Sequence, residues 1–236
     1  MSRVSSGRAR AQAVVSGATQ PEYSFGVVLL LILVVLTVQV AAPETELSRF
    51  IVLVLHGLVL MSALVASHAH PNLVRLAGIL VALAVVGSGI ALVGPGEFNE
   101  VPTAIVNMLF VALTPFALAR GLIREIRDEH DVSIRTMFGV LCIYLLVGIF
   151  FAFSFAVVNA VIDSDFFHAT SDPDISDFLY FSFATLTTVG YGDLTTASEV
   201  GRSLAIMEAL VGQIYLVTVV ALIVANLGPG RRRSGS

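Results

Sequence analysis

Thr187-Thr188-Val189-Gly190-Tyr191-Gly192-Asp193 is the stretch on which the reading of this chain turns. Glycine recurs at every second position, Gly190 and Gly192, and glycine enters positive φ at no steric cost. Backbone conformations that alternate in this way turn successive carbonyls toward one side, while Val189 and Tyr191 direct their side chains outward into packing. A ring of inward carbonyls can replace the hydration shell of a cation leaving water, and Thr188 adds a hydroxyl as the innermost ligand. One copy supplies one wall of such a ring, and the sequence holds no second copy. Four chains are therefore expected around one axis.

The surroundings fit. The chain has 236 residues, 56% hydrophobic and 13% charged, with a mean hydropathy of +0.91. This excludes an ordinary soluble domain and places the chain in a membrane. Apolar runs at 25–42, 50–66, 73–93, 101–118, 137–161 and 200–227 give six expected spans. A signal peptide competes for the first run, since Val40-Ala41-Ala42 offers small residues near a cleavage point. That run exceeds a signal core of ~7–15 residues, so a retained helix is expected. The single cysteine, Cys142, sits inside an apolar run and reads as a core residue. All thirteen basic residues are arginine, a composition expected of a GC-rich bacterial genome.

Thr188 to Asp193, set between two long apolar segments, resembles the signature filter of tetrameric potassium channels, which carry it between a short pore helix and an inner helix. The resemblance covers residues 137–227 well and the first 130 residues only in outline. It implies an all-α membrane protein of the bacterial type: a four-helix N-terminal transmembrane bundle, then a two-helix pore domain with a re-entrant pore helix and the selectivity filter. The implied divisions are a tail at 1–24, the bundle at 25–119, a linker at 120–136, the pore domain at 137–227 and a basic tail at 228–236. The implied permeant ion is K+, held at Thr188, Val189, Gly190 and Tyr191 with Gly192 completing the filter. Thr187 and Asp193 flank it. No cofactor and no nucleic acid are implied. The implied partners are other copies of the chain, in a homotetramer, and the lipid bilayer of the plasma membrane.

Arginine placement sets the expected orientation, because positive loops stay cytoplasmic. With both termini, the 67–75 turn and the 120–135 linker inside, every arginine but Arg49 and Arg202 is cytoplasmic. The acidic segment 163–177 and the mouth of the filter then lie outside. The linker alternates charges and is expected to be an interfacial helix. Arg120, Arg124 and Arg127 fall on one helical face and raise the idea of a voltage sensor, which needs ~3–4 charges moving through the field. Residues 101–118 hold no charge, so membrane anchoring explains these arginines better.

In the pore half, Asp172-Pro173 reads as the start of a pore helix, with a capping oxygen followed by proline, running to about Thr187. The family braces its filter tyrosine with aromatics from this helix, and Tyr180 and Phe181 match those positions. Ala184 stands where some relatives carry an acid behind the filter. On the inner helix, Gly212 matches the family's hinge position, although glycine also permits close packing. Gln213, Leu216, Val220 and Val224 share one face and are expected to line the cavity. Glu208 lies ~140° around the helix from Gln213 and points away from the pore. A hydrogen bond behind the filter is expected of it, with a regulatory proton as the alternative. Gly228-Pro229-Gly230 stops the helix, Arg231 to Arg233 anchor it inside, and no ligand-sensing domain is expected beyond. The expected function is passive K+ conduction. A non-conducting or regulatory subunit and a weakly selective cation channel are the alternatives. Scattered histidines without ligand spacing argue against an enzyme.

Overall fold

A computed structural model describes residues 25–93, 100–129, 134–161 and 165–221. Among the described residues seven α-helices run in order: α1 (Phe25–Ala41), α2 (Glu46–Ala66), α3 (Pro71–Val93), α4 (Glu100–Glu129), α5 (Ile134–Val161), α6 (Ile175–Leu186) and α7 (Glu199–Tyr215). A π-helical turn, Leu216–Val220, extends α7. Among the described residues, α2, α3, α4, α5 and α7 are long and apolar enough to cross a membrane. The 17 residues of α1 span ~26 Å at 1.5 Å per residue, the lower limit for a crossing.

Local chemistry sets the ends. Thr45 caps α2 through a reciprocal pair with Ser48: the Thr45 side chain accepts from the Ser48 N–H at 3.2 Å, and the Thr45 N–H donates to Ser48 Oγ at 3.0 Å. Two otherwise unpaired amides are satisfied there. In the interior of α4, Pro115 removes one backbone donor. The helix nonetheless continues through residue 129, so the first part of the expected interfacial linker is an extension of the fourth span. Residues 130–133 of that linker, together with both tails, Asp163 and Val224, lie outside the described residues, and residues 134–136 begin α5.

The core centres on α5, which packs against α1, α4, α6 and α7. Leu146, Ile149, Ala152 and Phe155 of α5 are fully buried and meet Ile32 and Val35 of α1 and Leu118 of α4 in one cluster. Lipid is as apolar as these side chains, so close fit rather than escape from water holds such helices together. By contrast, α3 contributes no buried residue and touches the rest through α2. Its apolar surface suits lipid.

Residues 165–174, the described part of the connection between α5 and α6, depart from expectation. Read as a solvated acidic segment, they bury Phe166 and Phe167 against Phe155, Phe178 and Phe181, with ring centroids 4.8–5.5 Å apart for the tightest pairs. Phe167 and Thr196 form an antiparallel bridge, and the Ala197 N–H donates to the Phe166 carbonyl at 2.7 Å. The loop is thereby pinned to the segment that follows the filter. A pair of adjacent phenylalanines in an acidic loop was the signal for it.

Candidate functional site

The helix α6, expected to be a pore helix, starts two residues later than expected. Asp174, not Asp172, is the N-cap: its side chain accepts from the Asp177 N–H at 2.9 Å, and the Asp177 carboxylate accepts from the Asp174 N–H at 3.1 Å. A reciprocal pair satisfies more orphan amides than a single capping oxygen, so it outcompetes the Asp172-Pro173 start. The next amide, Ile175 N–H, donates to Glu44 Oε1 at 2.8 Å. Glu44 in turn pairs with Arg49 at 3.1 Å. The connection between α1 and α2 thus holds the start of the pore helix, and Arg49 has a structural task outside the cytoplasmic arginines.

At its other end α6 runs directly into the predicted filter. Backbone carbonyls that a helix leaves unpaired are taken up by the residues that follow. The Val189 and Gly190 N–H groups donate to the Ala184 carbonyl at 2.9 and 3.0 Å, and the Thr188 N–H donates to the Thr185 carbonyl at 3.0 Å. The Tyr144 hydroxyl of α5 donates to the Leu186 carbonyl at 3.2 Å. Ala184 serves here through its carbonyl.

Beyond these bonds the backbone alternates. Thr188, Gly190 and Gly192 have φ of 59°, 53° and 81°, while Val189 and Tyr191 between them are not in the left-handed region. The two glycines were expected; Thr188 was not. A β-branched residue there is strained and persists only where its surroundings hold it. Residues 187–193 are exposed in the single chain, with Val189 53% and Tyr191 71% accessible. A Cβ added at Gly190 or Gly192 would meet nothing within 4 Å.

The expected support residues divide. Tyr180 stacks on Tyr191 at 5.9 Å with rings 7° from parallel, and its hydroxyl donates to Asp193 Oδ2 at 2.8 Å. Within the single chain Phe181 packs on Phe155 and Phe167 at 5.2 and 5.3 Å. The Thr187 hydroxyl turns back to the Phe183 carbonyl at 2.6 Å. Tyr180 holds the Asp193 carboxyl below the ordinary carboxylate range, the hydrogen bond being the main cause.

On α7, Glu208 is fully buried and meets Ser182 of the pore helix, Oγ to Oε1, at 2.5 Å. It faces away from Gln213, which is exposed. Gly212 is buried, and a Cβ there would lie 2.7 Å from both the Leu186 carbonyl oxygen and Leu186 Cδ1. Close approach to the end of the pore helix therefore requires glycine at 212. Leu216 is 38% exposed, but the π-helical turn that begins there is wider than an α-turn. The Val220 side chain and Val224, expected on the same face, lie outside what the structure describes. The Tyr215 hydroxyl donates to the Val140 carbonyl at 2.7 Å, and its ring stacks on Tyr144 at 5.8 Å. Arg202, the other arginine outside the cytoplasmic set, donates to the Thr196 carbonyl at 3.4 Å and secures the segment after the filter.

Comparison with known proteins places this half of the chain. Residues 139–228 match the family described as Ion channel. The chain is 33% identical over 88 residues to the potassium voltage-gated channel subfamily A member 10 of Mus musculus and of Homo sapiens, covering 37% of this chain and 16% of theirs. It is 33% identical over 88 residues to subfamily A member 5 of Mustela putorius furo, covering 37% of this chain and 14% of that protein. The match thus spans a small part of these curated relatives. No solved structure matches the chain significantly. The likeness to the ion channel family and to these potassium channels is thus confined to the C-terminal part of the chain.

Proposed function

We propose that this chain is the subunit of a homotetrameric, potassium-selective channel of the plasma membrane, with both termini cytoplasmic, that passes K+ down its electrochemical gradient through Thr188 to Tyr191. The observation that carries the reading is the left-handed φ at Thr188, Gly190 and Gly192, in a segment exposed on one chain. Such a backbone suits a wall of stacked carbonyl ligands. Other walls, from other copies, would cover Val189 and Tyr191. The apolar residues exposed on α7, Ile206, Met207, Leu210 and Ile214 among them, offer further surface for such an assembly.

The first four helices support a channel without a voltage sensor. Arg120 and Arg124 are exposed near the end of α4, and Arg124 donates to the His68 carbonyl at 3.3 Å, which anchors it at the end of α2. The test is cation flux into liposomes holding the purified protein, K+ against Na+, beside Gly190→Ala. K+-selective flux that the substitution abolishes is expected. Equal K+ and Na+ flux would overturn the selectivity, and an inert, well-formed tetramer would overturn conduction by this chain alone.

A further inference from the structure

A cavity of about 150 Å³ opens between the helical bundle and the start of α6. It enters among helix ends. Glu44, Ser48, Arg49 and Asn159, each in a connection or within one turn of a helix end, form its rim. Val52, Ala104, Phe153 and Ala156, more than one turn from those ends, line its inner part. The polar groups around it are engaged or covered. Glu44 is shared between Arg49 and the Ile175 N–H, and Ser48 Oγ donates to the Pro43 carbonyl at 2.8 Å. Asn107 Oδ1 pairs with His56 Nδ1 at 2.9 Å, and Asn107 Nδ2 donates to the Thr103 carbonyl at 3.1 Å. The Gln39 amide is buried at both polar atoms and offers the cavity no surface. The half-buried side chains that do offer surface to the inner part are hydrocarbon: Val38 of α1, Ala104 of α4, Ala156 of α5 and Ile175 of α6. A buried water needs two to four polar partners, which these walls do not supply.

From this we infer that the inner part of the cavity is a binding site for a small, uncharged, apolar molecule the size of one aromatic ring. A dry apolar cavity of about 150 Å³ accepts benzene, which sets the size. The walls set the chemistry. A polar group carried inside would give up its water and find no open donor or acceptor in return. A charged group would enter without a counter-charge, because Glu44 and Arg49 already neutralise each other at the rim. The bound molecule touches Ile175, whose N–H Glu44 holds, and so bears on the start of the helix that leads into residues 187–193. The site stands independently of whether the chain conducts K+.

Phenyl(trifluoromethyl)diazirine, a one-ring apolar photolabel, is the probe, applied to the full-length, detergent-solubilised protein with adducts located by mass spectrometry. Val38, Ala104, Ala156 and Ile175 are expected to label saturably. Leu83 and Ile90, exposed on α3, are expected to label in simple proportion to probe concentration and serve as the reference for surface partitioning. Excess toluene should remove the saturable labelling and spare the reference, whereas pyrene, too large for the cavity, should spare both. Ala104→Leu and, independently, Ala156→Leu fill the inner part; each is expected to abolish the saturable labelling. Wall labelling that is absent, that never saturates, that pyrene displaces as well as toluene does, or that persists in both variants would overturn the assignment and leave a hydrated crevice. None of these outcomes depends on ion flux, so failure here is distinguishable from failure of the channel reading.

Discussion

Glu208 of α7 and Ser182 of the pore helix stand 2.5 Å apart, oxygen to oxygen, with neither exposed to solvent. Ser182 Oγ also lies 2.7 Å from the Gly148 carbonyl of α5. A hydroxyl carries one hydrogen. It can serve the Gly148 carbonyl while accepting from Glu208, provided that the carboxyl supplies a hydrogen of its own. The three helices that frame the site are joined through this one serine.

Glu208→Gln keeps a donor at that position and should leave the thermal stability of the assembled protein nearly unchanged. Glu208→Ala leaves a space and an underused serine, and should cost about 1–3 kcal/mol. Thermal unfolding of the two variants side by side checks this. Equal damage from both would mean that the ionised carboxylate is what the site uses.

Replacement of Gly212 by alanine forces a methyl to within 2.7 Å of the Leu186 carbonyl. A backbone oxygen cannot swing away, so the variant should lose about 1–3 kcal/mol, as overpacked sites do. Gly87→Ala on the exposed face of α3, where a Cβ meets nothing within 4 Å, should gain about 0.5–1 kcal/mol from helix propensity. Denaturation midpoints of both variants decide the matter. A neutral Gly212→Ala would show that α6 and α7 are free to separate.

Deprotonated Asp193 accepts the Tyr180 hydroxyl, and its folded pKa is lowered. A lowered carboxylate pKa contributes stability above the unfolded value, and that contribution disappears as pH falls through the folded value. Acidification from about pH 7 to about pH 5 should therefore leave the pair intact, with loss confined to more acid solution. Tyr180→Phe should move the Asp193 midpoint upward, toward the ordinary range. Carboxyl chemical shifts of labelled Asp193 report the midpoint directly, and an unmoved midpoint in Tyr180→Phe would remove the hydrogen bond as its cause.

Loss of the Glu44 side chain should expose the start of the pore helix. Glu44→Ala deprives the Ile175 N–H of its partner, 131 residues away in sequence, and should cost about 0.5–2 kcal/mol, as removal of a helix cap does. The signature is site-specific: amide exchange speeds at Ile175, while Asp177, held by Asp174, stays protected. Unchanged exchange at Ile175 would mean that the bond contributes nothing.

Much of the site is written locally. Glycine at 190 and 192 permits the left-handed turns at those positions whatever surrounds them, and unbroken apolar runs make helices wherever water is absent. The direction of Glu208 away from Gln213 follows from helical spacing alone. The left-handed turns at Gly190 and Gly192, the helices that flank them and the direction of Glu208 were therefore legible in the chain. What was not legible depends on distant partners. Asp174 prevails over Asp172 through reciprocal bonding with Asp177, and Glu44 completes that end from the far side of the bundle. Thr188 takes a strained φ because it is held between the end of α6 and the turns that follow. Phe166 and Phe167 leave an acidic loop for a core that α5 and α6 create. Local sterics and hydropathy act over a few residues and are visible in sequence; satisfying buried polar atoms and filling space are settled only when remote segments meet, and that the tertiary structure decided.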